Sequence, residues 1–489
     1  MNFLSLDIGT TCCKSQLFSE QGEILRYSSE EYAFLEKEGK KYADIRGVFS
    51  RVKKMLADTA KEYEISSLCI SSFGESFVLL DEKDELLSDP MLYTDPRGEK
   101  EAEELLQTFG AEKLFSVTGT VPQSMYSLSK LLWIRKNRPE IFARAKKCML
   151  ICDYLGYLLT GKRVIDYALA SRTGAFDIQT LQFSKEILEE CGISAELFSS
   201  PAPTGSIVGE LREELKKELG IRGSCLLVLG SHDQICSALG AGAVKAGDAV
   251  DGMGTVECIT PLFSQRPSDV SMGMEGYVCV PYAVPGLYCT YMFNYSCGSL
   301  VNWYRKDILH GYHGEEENVY TYLEKTDDSP SGILVLPYFA GAATPYQNIN
   351  AKGAVLNLSV GTRDADLYKA IMEGTAMEMR LNTENVSKYG IFVSRIVATG
   401  GGANSKKWLS LKASVQNVPV RTLRSSEGGL CGCAMLQAAA LGLVKDLQAA
   451  ARIFVQYQEE FLPDANRHSA YEGQYKKYKK LYQTVKEFY

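Results

Sequence analysis

The feature that most constrains this 489-residue chain is a local pattern met twice, half a chain length apart. Residues 2–6 read as a strand, Asp7-Ile8-Gly9-Thr10-Thr11 as a tight turn and residues 13–18 as an alternating second strand. A further turn at Gln21-Gly22 leads into residues 23–27, which completes a meander. About 245 residues later, residues 248–250, the turn Asp251-Gly252-Met253-Gly254-Thr255 and residues 256–261 again spell strand, glycine–threonine turn, strand. The echo points to two α/β domains of similar plan, each opening on a hairpin. Further strands are expected at 65–70, 77–80, 225–229 and 396–398. Apolar residues at three- and four-residue spacing predict helices over 98–109, 127–137, 139–146, 210–219 and 364–389. No low-complexity linker separates the halves, so domains 1–245 and 246–489 are expected to pack with a cleft between them.

Composition narrows the function. A net charge of -7 argues against a general nucleic-acid binder, and 45% hydrophobic with 23% charged residues excludes disorder over most of the length. Fourteen cysteines are scattered without a CxxC pair, and the four histidines are His232, His310, His313 and His468, so neither a disulfide framework nor a zinc cluster is expected. The N-terminus lacks the basic and apolar regions of a signal peptide, and no uncharged run of 18 apolar residues occurs. A cytoplasmic protein with reduced thiols, acting on small molecules, is the expectation.

Several motifs could carry chemistry. In the first turn, glycine lets backbone N–H groups approach a phosphate, Thr10 and Thr11 can donate to its oxygens, Lys14 adds charge, and Asp7 can hold a metal or its waters. The alternative is a plain hairpin turn. Gly254-Thr255 would be a second phosphate clamp or a duplicated structural turn. Thr399-Gly400-Gly401-Gly402-Ala403-Asn404 follows an apolar strand and precedes a helix, which suits a flat ligand lying on backbone. It does not meet GxGxxG, so a dinucleotide oxidoreductase fits poorly. Gly156 to Lys162 nearly spells a P-loop, but Arg163 stands where Ser or Thr should be, and Gly161 is read as a helix stop. Asp233, at the end of the strand over 225–229, is placed either as a general base or as a helix N-cap, with Gln234 able to bond a substrate hydroxyl. His232 reads as a packing neighbour rather than a catalyst. Glu75, Asp95 and Arg97 lie in polar insertions beside apolar strands and could hold sugar hydroxyls or simply line surface loops.

Together these motifs resemble the FGGY family of carbohydrate kinases, nearly end to end. The matching pieces are Asp7 to Lys14, Asp153-Tyr154 with Leu159-Thr160-Gly161, residues 230–242, Gly254-Thr255, residues 337–353 around Thr344-Pro345, Glu373-Gly374 and residues 400–408. The resemblance implies two actin-like (ribonuclease H-like) ATPase domains with the active site in the interdomain cleft, and transfer of the γ-phosphoryl of ATP to a sugar or polyol. It implies Asp233 as catalytic base, with Asp7 and Asp233 near the magnesium. Thr10, Thr11, Lys14, Gly254 and Thr255 would surround the phosphates, and Gly401, Gly402 and Asn404 would border the adenosine. Glu75, Asp95, Arg97 and Gln234 would bind the acceptor.

The acceptor loops mix types. Xylulokinases resemble Gln-Met-His where this chain has Phe73-Gly74-Glu75, and glycerol kinases carry Arg-Glu there, so Glu75 matches and Gly74 does not. Tyr93-Thr94-Asp95-Pro96-Arg97 resembles the Trp-Asn-Asp-x-Arg of xylulokinases and the corresponding stretch of rhamnulokinases. The carboxylates of Asp95 and Glu75 would repel a substrate carboxylate, and Gly74 would leave room for more than three carbons. The expected acceptor is a neutral ketose or polyol of about four to six carbons, with a xylulose-like pentulose first. Glycerol and deoxyhexulose (rhamnulose, fuculose) kinases, and an actin-like ATP switch without a sugar, are the alternatives. Neither a nucleic acid nor a membrane is expected as partner, and a homodimer is left open.

Overall fold

The computed structural model describes residues 1–37, 39–309, 326–425 and 427–489. His310 and His313 lie outside these. Two compact units form. The first takes Met1–Val244 together with Cys279–Tyr288 and Glu427–Val455, and the second takes the remainder from Lys245 onward. A simple division after residue 245 therefore omits two later segments that pack with the first unit. The larger of these carries the helix Gly428–Ala440, which is almost wholly buried.

The first unit is built on a six-stranded sheet. Strand Asn2–Ile8 pairs antiparallel with Cys12–Ser19, which pairs antiparallel with Ile24–Glu31. On its other side Asn2–Ile8 runs parallel to Ser67–Ser72, and Ser67–Ser72 runs parallel to Leu226–Val228. Ile207–Glu210 closes the edge antiparallel. The second unit repeats this plan. Asp248–Met253 pairs antiparallel with Glu257–Phe263, which pairs antiparallel with Met292–Asn294. Asp248–Met253 then runs parallel to Arg395–Thr399, which runs parallel to Val420–Leu423, and Tyr457–Phe461 closes the edge antiparallel. Six strands of this eight-stranded sheet repeat the first sheet in order and direction, with Val280–Pro281 and Tyr288–Cys289 added, so the echo in the sequence is a duplicated architecture.

The match also corrects the alignment of the two turns. Gly9 donates to Cys12 O (2.9 Å) and Gly254 to Val256 O (3.0 Å), so Gly9 and Gly254 open the two turns. On that footing Asp7 matches Gly252, not Asp251.

Local sequence explains the elements near the functional residues. Three parallel strands of the first unit end side by side, with Asp7 opposite Ser71 and a bridge joining Ser72 to His232. Residues just past strand ends are free to carry side chains into a recess rather than into the sheet. Gly230 is required there, because a Cβ would lie 1.8 Å from Ile70 O. The chain then enters the helix Asp233–Gly240, with His232 as N-cap residue, so Asp233 is the first helical residue and not the cap. This helix lies in backbone contact with Gly428–Ala440. A Cβ on Gly240 would sit 1.9 Å from Gly428 O, and one on Gly432 would sit 2.0 Å from Cys236 O. The helix over Ile151–Thr160 stops at Gly161 in the left-handed region (φ 79°), as the near-P-loop was read. Every cysteine is a free thiol and all but Cys12 are buried. Among the described residues, no helix is long and apolar enough to cross a membrane.

Candidate active site

In the first unit the ends of the parallel strands gather Asp7, Glu75 and Asp233. The Asp233 side chain is 31% exposed, with His232 Nε2 3.3 Å from its Oδ1. That oxygen also accepts from Gln234 N at 2.6 Å. Burial pushes the Asp233 carboxyl up to about 8, and the neighbouring charges of Asp7 and Glu75 add to the rise while Arg172 opposes it. A carboxylate that resists ionisation is a strong proton acceptor once ionised. His232 is driven the other way: burial, aided by Arg172, lowers it to about 3, so it is neutral at ordinary pH. It serves as a packing neighbour, as its sequence context suggested.

Asp7 accepts a hydrogen bond from Ser71 Oγ on the adjacent strand. Gly429 brings backbone against the Asp7 carboxyl, since a Cβ there would lie 3.4 Å from Asp7 Cγ. Burial raises Asp7, and Ser71 and Lys14 oppose that. Lys14, directly across the hairpin from Asp7, donates to both carboxylate oxygens of Glu427 at 3.0 Å. Thr10 is half-buried and Thr11 exposed at the tip of the turn, whose backbone is held by the Tyr32 hydroxyl on Gly9 O. Among the described residues no group of three or more His, Cys, Asp or Glu side chains could hold a metal. The charge of Asp7 raises Asp233, and two such carboxylates would offer hard oxygen ligands of the kind that suits magnesium, an ion that keeps waters and phosphate oxygens as its other ligands.

The expected acceptor residues are positioned less simply. Glu75 is buried with φ 60° and accepts from Arg172 Nε at 2.5 Å, while a second guanidinium nitrogen contacts the same oxygen. The two side chains are only 4% and 6% exposed. Arg172 also lies over the Tyr126 ring, 5.0 Å from its centroid. Asp95 is closed on Arg97: Oδ1 accepts from Arg97 N at 2.9 Å and from Nε at 2.8 Å, and Oδ2 from a terminal nitrogen at 2.6 Å. Burial pushes the Asp95 carboxyl up, and the Arg97 bonds more than offset it, so it is held below its ordinary value. The Arg97 guanidinium sits 5.1 Å from the Tyr42 ring centroid and 5.2 Å from that of Trp133. Gln234 is half-buried beside Asp233. The space expected at Gly74 is not there, because a Cβ would already lie 3.0 Å from His232 Cδ2.

Sequence reasoning missed Arg172, Tyr93, Ser71 and Glu427. Tyr93 is raised by burial, and the charges of Glu75 and then Asp233 also reach it. Its position two residues before Asp95 was a usable signal. Arg172 and Glu427 are 97 and 413 residues from their partners, so no local pattern announces them.

In the second unit, Gly254 and Thr255 are exposed at the hairpin tip. Cys297 N and Ser299 N donate to Thr255 O at 3.2 and 3.1 Å, and Gly298 N to Gly254 O at 2.9 Å. The glycine run sits against the same turn: a Cβ on Gly400 would lie 2.8 Å from Met253 O, and one on Gly402 2.8 Å from Met253 Cβ. Gly401 and Asn404 are exposed beside it. The glycine run thus packs on the backbone and side chain of Met253, leaving Thr255, Gly401 and Asn404 exposed nearby.

Two family profiles match in chain order: the FGGY family of carbohydrate kinases, N-terminal domain, over residues 2–240, and the C-terminal domain over residues 269–441. The xylulose kinase of Staphylococcus epidermidis is 25% identical over 490 residues, covering 99% of this chain and 97% of its own length. The gluconokinase of Bacillus licheniformis is 26% identical over 501 residues, with 98% and 93% covered. The crystal structure of ligand-bound xylulose kinase from Lactobacillus acidophilus matches with a TM-score of 0.90 at 25% identity, over 99% of this chain and 98% of that one. With both halves of the family matched over two units of the actin-like ATPase plan, the chain belongs to the FGGY family of carbohydrate kinases and is an ATP-dependent phosphotransferase.

Proposed function

We propose that this kinase phosphorylates a hydroxyl of a neutral ketose or polyol of about four to six carbons, with a xylulose-like pentulose as leading acceptor. Asp233 takes the proton of the attacking hydroxyl. Asp7 and Asp233 hold magnesium, which neutralises charge on the phosphates. Lys14 and the hydroxyls of Thr10, Thr11 and Thr255 steady the phosphoryl groups, while Gly254, Gly401, Gly402 and Asn404 offer backbone and amide to the nucleotide. Catalysis of this kind is mostly positioning and electrostatics.

The observation that carries the choice of a neutral acceptor is the pairing of charges among the expected acceptor residues. Glu75 is matched by Arg172, and Asp95 by Arg97. Each arginine is already engaged with a carboxylate, so a substrate carboxylate would have to displace an acid from its partner. This replaces repulsion by bare carboxylates, and room beside Gly74, as the reason to expect a neutral acceptor. The xylulose kinase relatives agree with it. A coupled ADP-release screen over pentuloses, deoxyhexuloses, glycerol, erythritol and gluconate tests the reading. The expected best kcat/KM falls on a pentulose, and a best value for gluconate or glycerol rejects it.

A further inference from the structure

Beneath the Gly254-Thr255 turn lies a charge cluster that the proposed chemistry does not use. Asp251 and Glu257 flank the turn on its two strands, and the register pairs Asp251 with Ile259 and Met253 with Glu257. Both carboxylates therefore project from the same face of the hairpin. The Lys412 ammonium, from the helix Lys406–Gln416, binds both. Exposures are 1% for Lys412, 1% for Asp251 and 0% for Glu257.

We propose that Lys412 is a positioning residue for the nucleotide, gripping Asp251 and Glu257 so that the Gly254-Thr255 turn and the Gly400–Gly402 turn are held in one geometry. The proposal rests on the reading of these turns as the nucleotide site. Three observations converge. The helix that carries Lys412 begins directly after the glycine run, with Ser405 as its cap. Gly400 and Gly402 press on Met253, between the two acids in sequence. The Cys297 thiol adjoins Glu257, while the backbone of Cys297–Ser299 donates to Gly254 and Thr255. The ammonium thus ties the strand stems of one turn to the helix that follows the other. Two buried acids for one buried base is a poor device for stability alone, since apolar groups of similar volume commonly serve a core as well or better.

The test is the variant Lys412→Met/Asp251→Asn/Glu257→Gln, which removes the charges and keeps the shapes. The expected result is a Tm equal to or above that of the parent, an unchanged sugar KM, and a kcat/KM for ATP lowered by roughly 10–100-fold. Unchanged ATP kinetics in the folded variant overturns the proposal. Glu257→Gln, which keeps the Lys412–Asp251 pair, is read on the same axes if the triple variant does not fold, and unchanged ATP kinetics there overturns the proposal equally. Thr255→Val, measured in parallel, separates the two claims. If it is impaired while the cluster variants are not, only the positioning role falls. If it is unimpaired, the nucleotide reading of the turn falls and takes the proposal with it.

Discussion

The two hairpins of this kinase share strand order, direction and a Gly-Thr turn, yet they handle charge in opposite ways. In the first, charge stands at the turn itself: Asp7 half-buried, Lys14 across from it, and Glu427 closing on Lys14. In the second, the position matching Asp7 is Gly252, the tip is uncharged, and the ionic groups lie sealed below it as Lys412, Asp251 and Glu257. The difference teaches that one backbone plan supports two tasks. On the proposed reading, a turn that handles a metal and a moving phosphoryl group keeps its charges near solvent, whereas a turn that meets the nucleotide through backbone and a hydroxyl buries them.

The comparison breaks most sharply at Asp233, which belongs to the first unit. Asp233→Ala should lower kcat by about 10²–10⁴-fold with ATP affinity nearly intact, the range expected for a positioned base. Near-normal turnover would remove it from that role. Stability should move the other way. The folded carboxyl sits at about 8 against an ordinary value of ~3.9, so ionising it opposes folding. Asp233→Asn should therefore raise Tm, with no gain below pH ~4 and the full gain above about 8. Melting curves across that range check the sign.

Next in size is the buried pair beside the base. Arg172→Met leaves Glu75 buried without its cation and should cost about 3–5 kcal/mol of stability. The double variant Arg172→Met/Glu75→Gln should recover much of that loss while the sugar KM stays raised. Recovery of both would make the pair a purely structural feature.

At the first turn, Lys14→Ala should raise the ATP KM by roughly 10-fold, the scale of one charge-assisted hydrogen bond, with little effect on the sugar KM. A loss confined to the sugar would put Lys14 in the other pocket. The smallest effect is expected at Asp95. Its two oxygens are filled by Arg97, so Asp95→Ala should raise the sugar KM by only about 2–5-fold, acting through a loosened Arg97 rather than a lost acceptor. An effect as large as that of Arg172→Met would show that Asp95 turns to the substrate.

Much of this was legible in the residues. Period and punctuation gave the helix Ser127–Asn137 and the strand Phe77–Leu80 to the residue, and the duplicated plan was visible in two glycine–threonine turns. The signal was local in each case, because alternation and glycine placement act over a few residues. Long-range pairing was not legible. Nothing near Glu75 announces Arg172, nothing near Lys14 announces Glu427, and Lys412 is 161 residues from Asp251. The same blindness made Gly74 read as vacant, when His232, brought in by a different strand, fills the space. Nor does local pattern show that Glu427–Val455 packs with the first compact unit, since only contact of the helix Gly428–Ala440 with Asn2–Ile8 and the helix Asp233–Gly240 places it there.

The central claim, that Asp233 is the base, is tested most directly by kcat/KM for the pentulose as a function of pH, which reports ionisations of the enzyme before the sugar binds. Only the ionised carboxylate accepts a proton, and burial with Asp7 nearby holds it protonated up to about 8. The account predicts an acid limb in which the rate falls about tenfold for each pH unit below the pKa of this carboxyl, about 8 without metal and lowered where Asp233 holds magnesium. A rate that stays level down to pH ~4, while the enzyme remains folded, would contradict it.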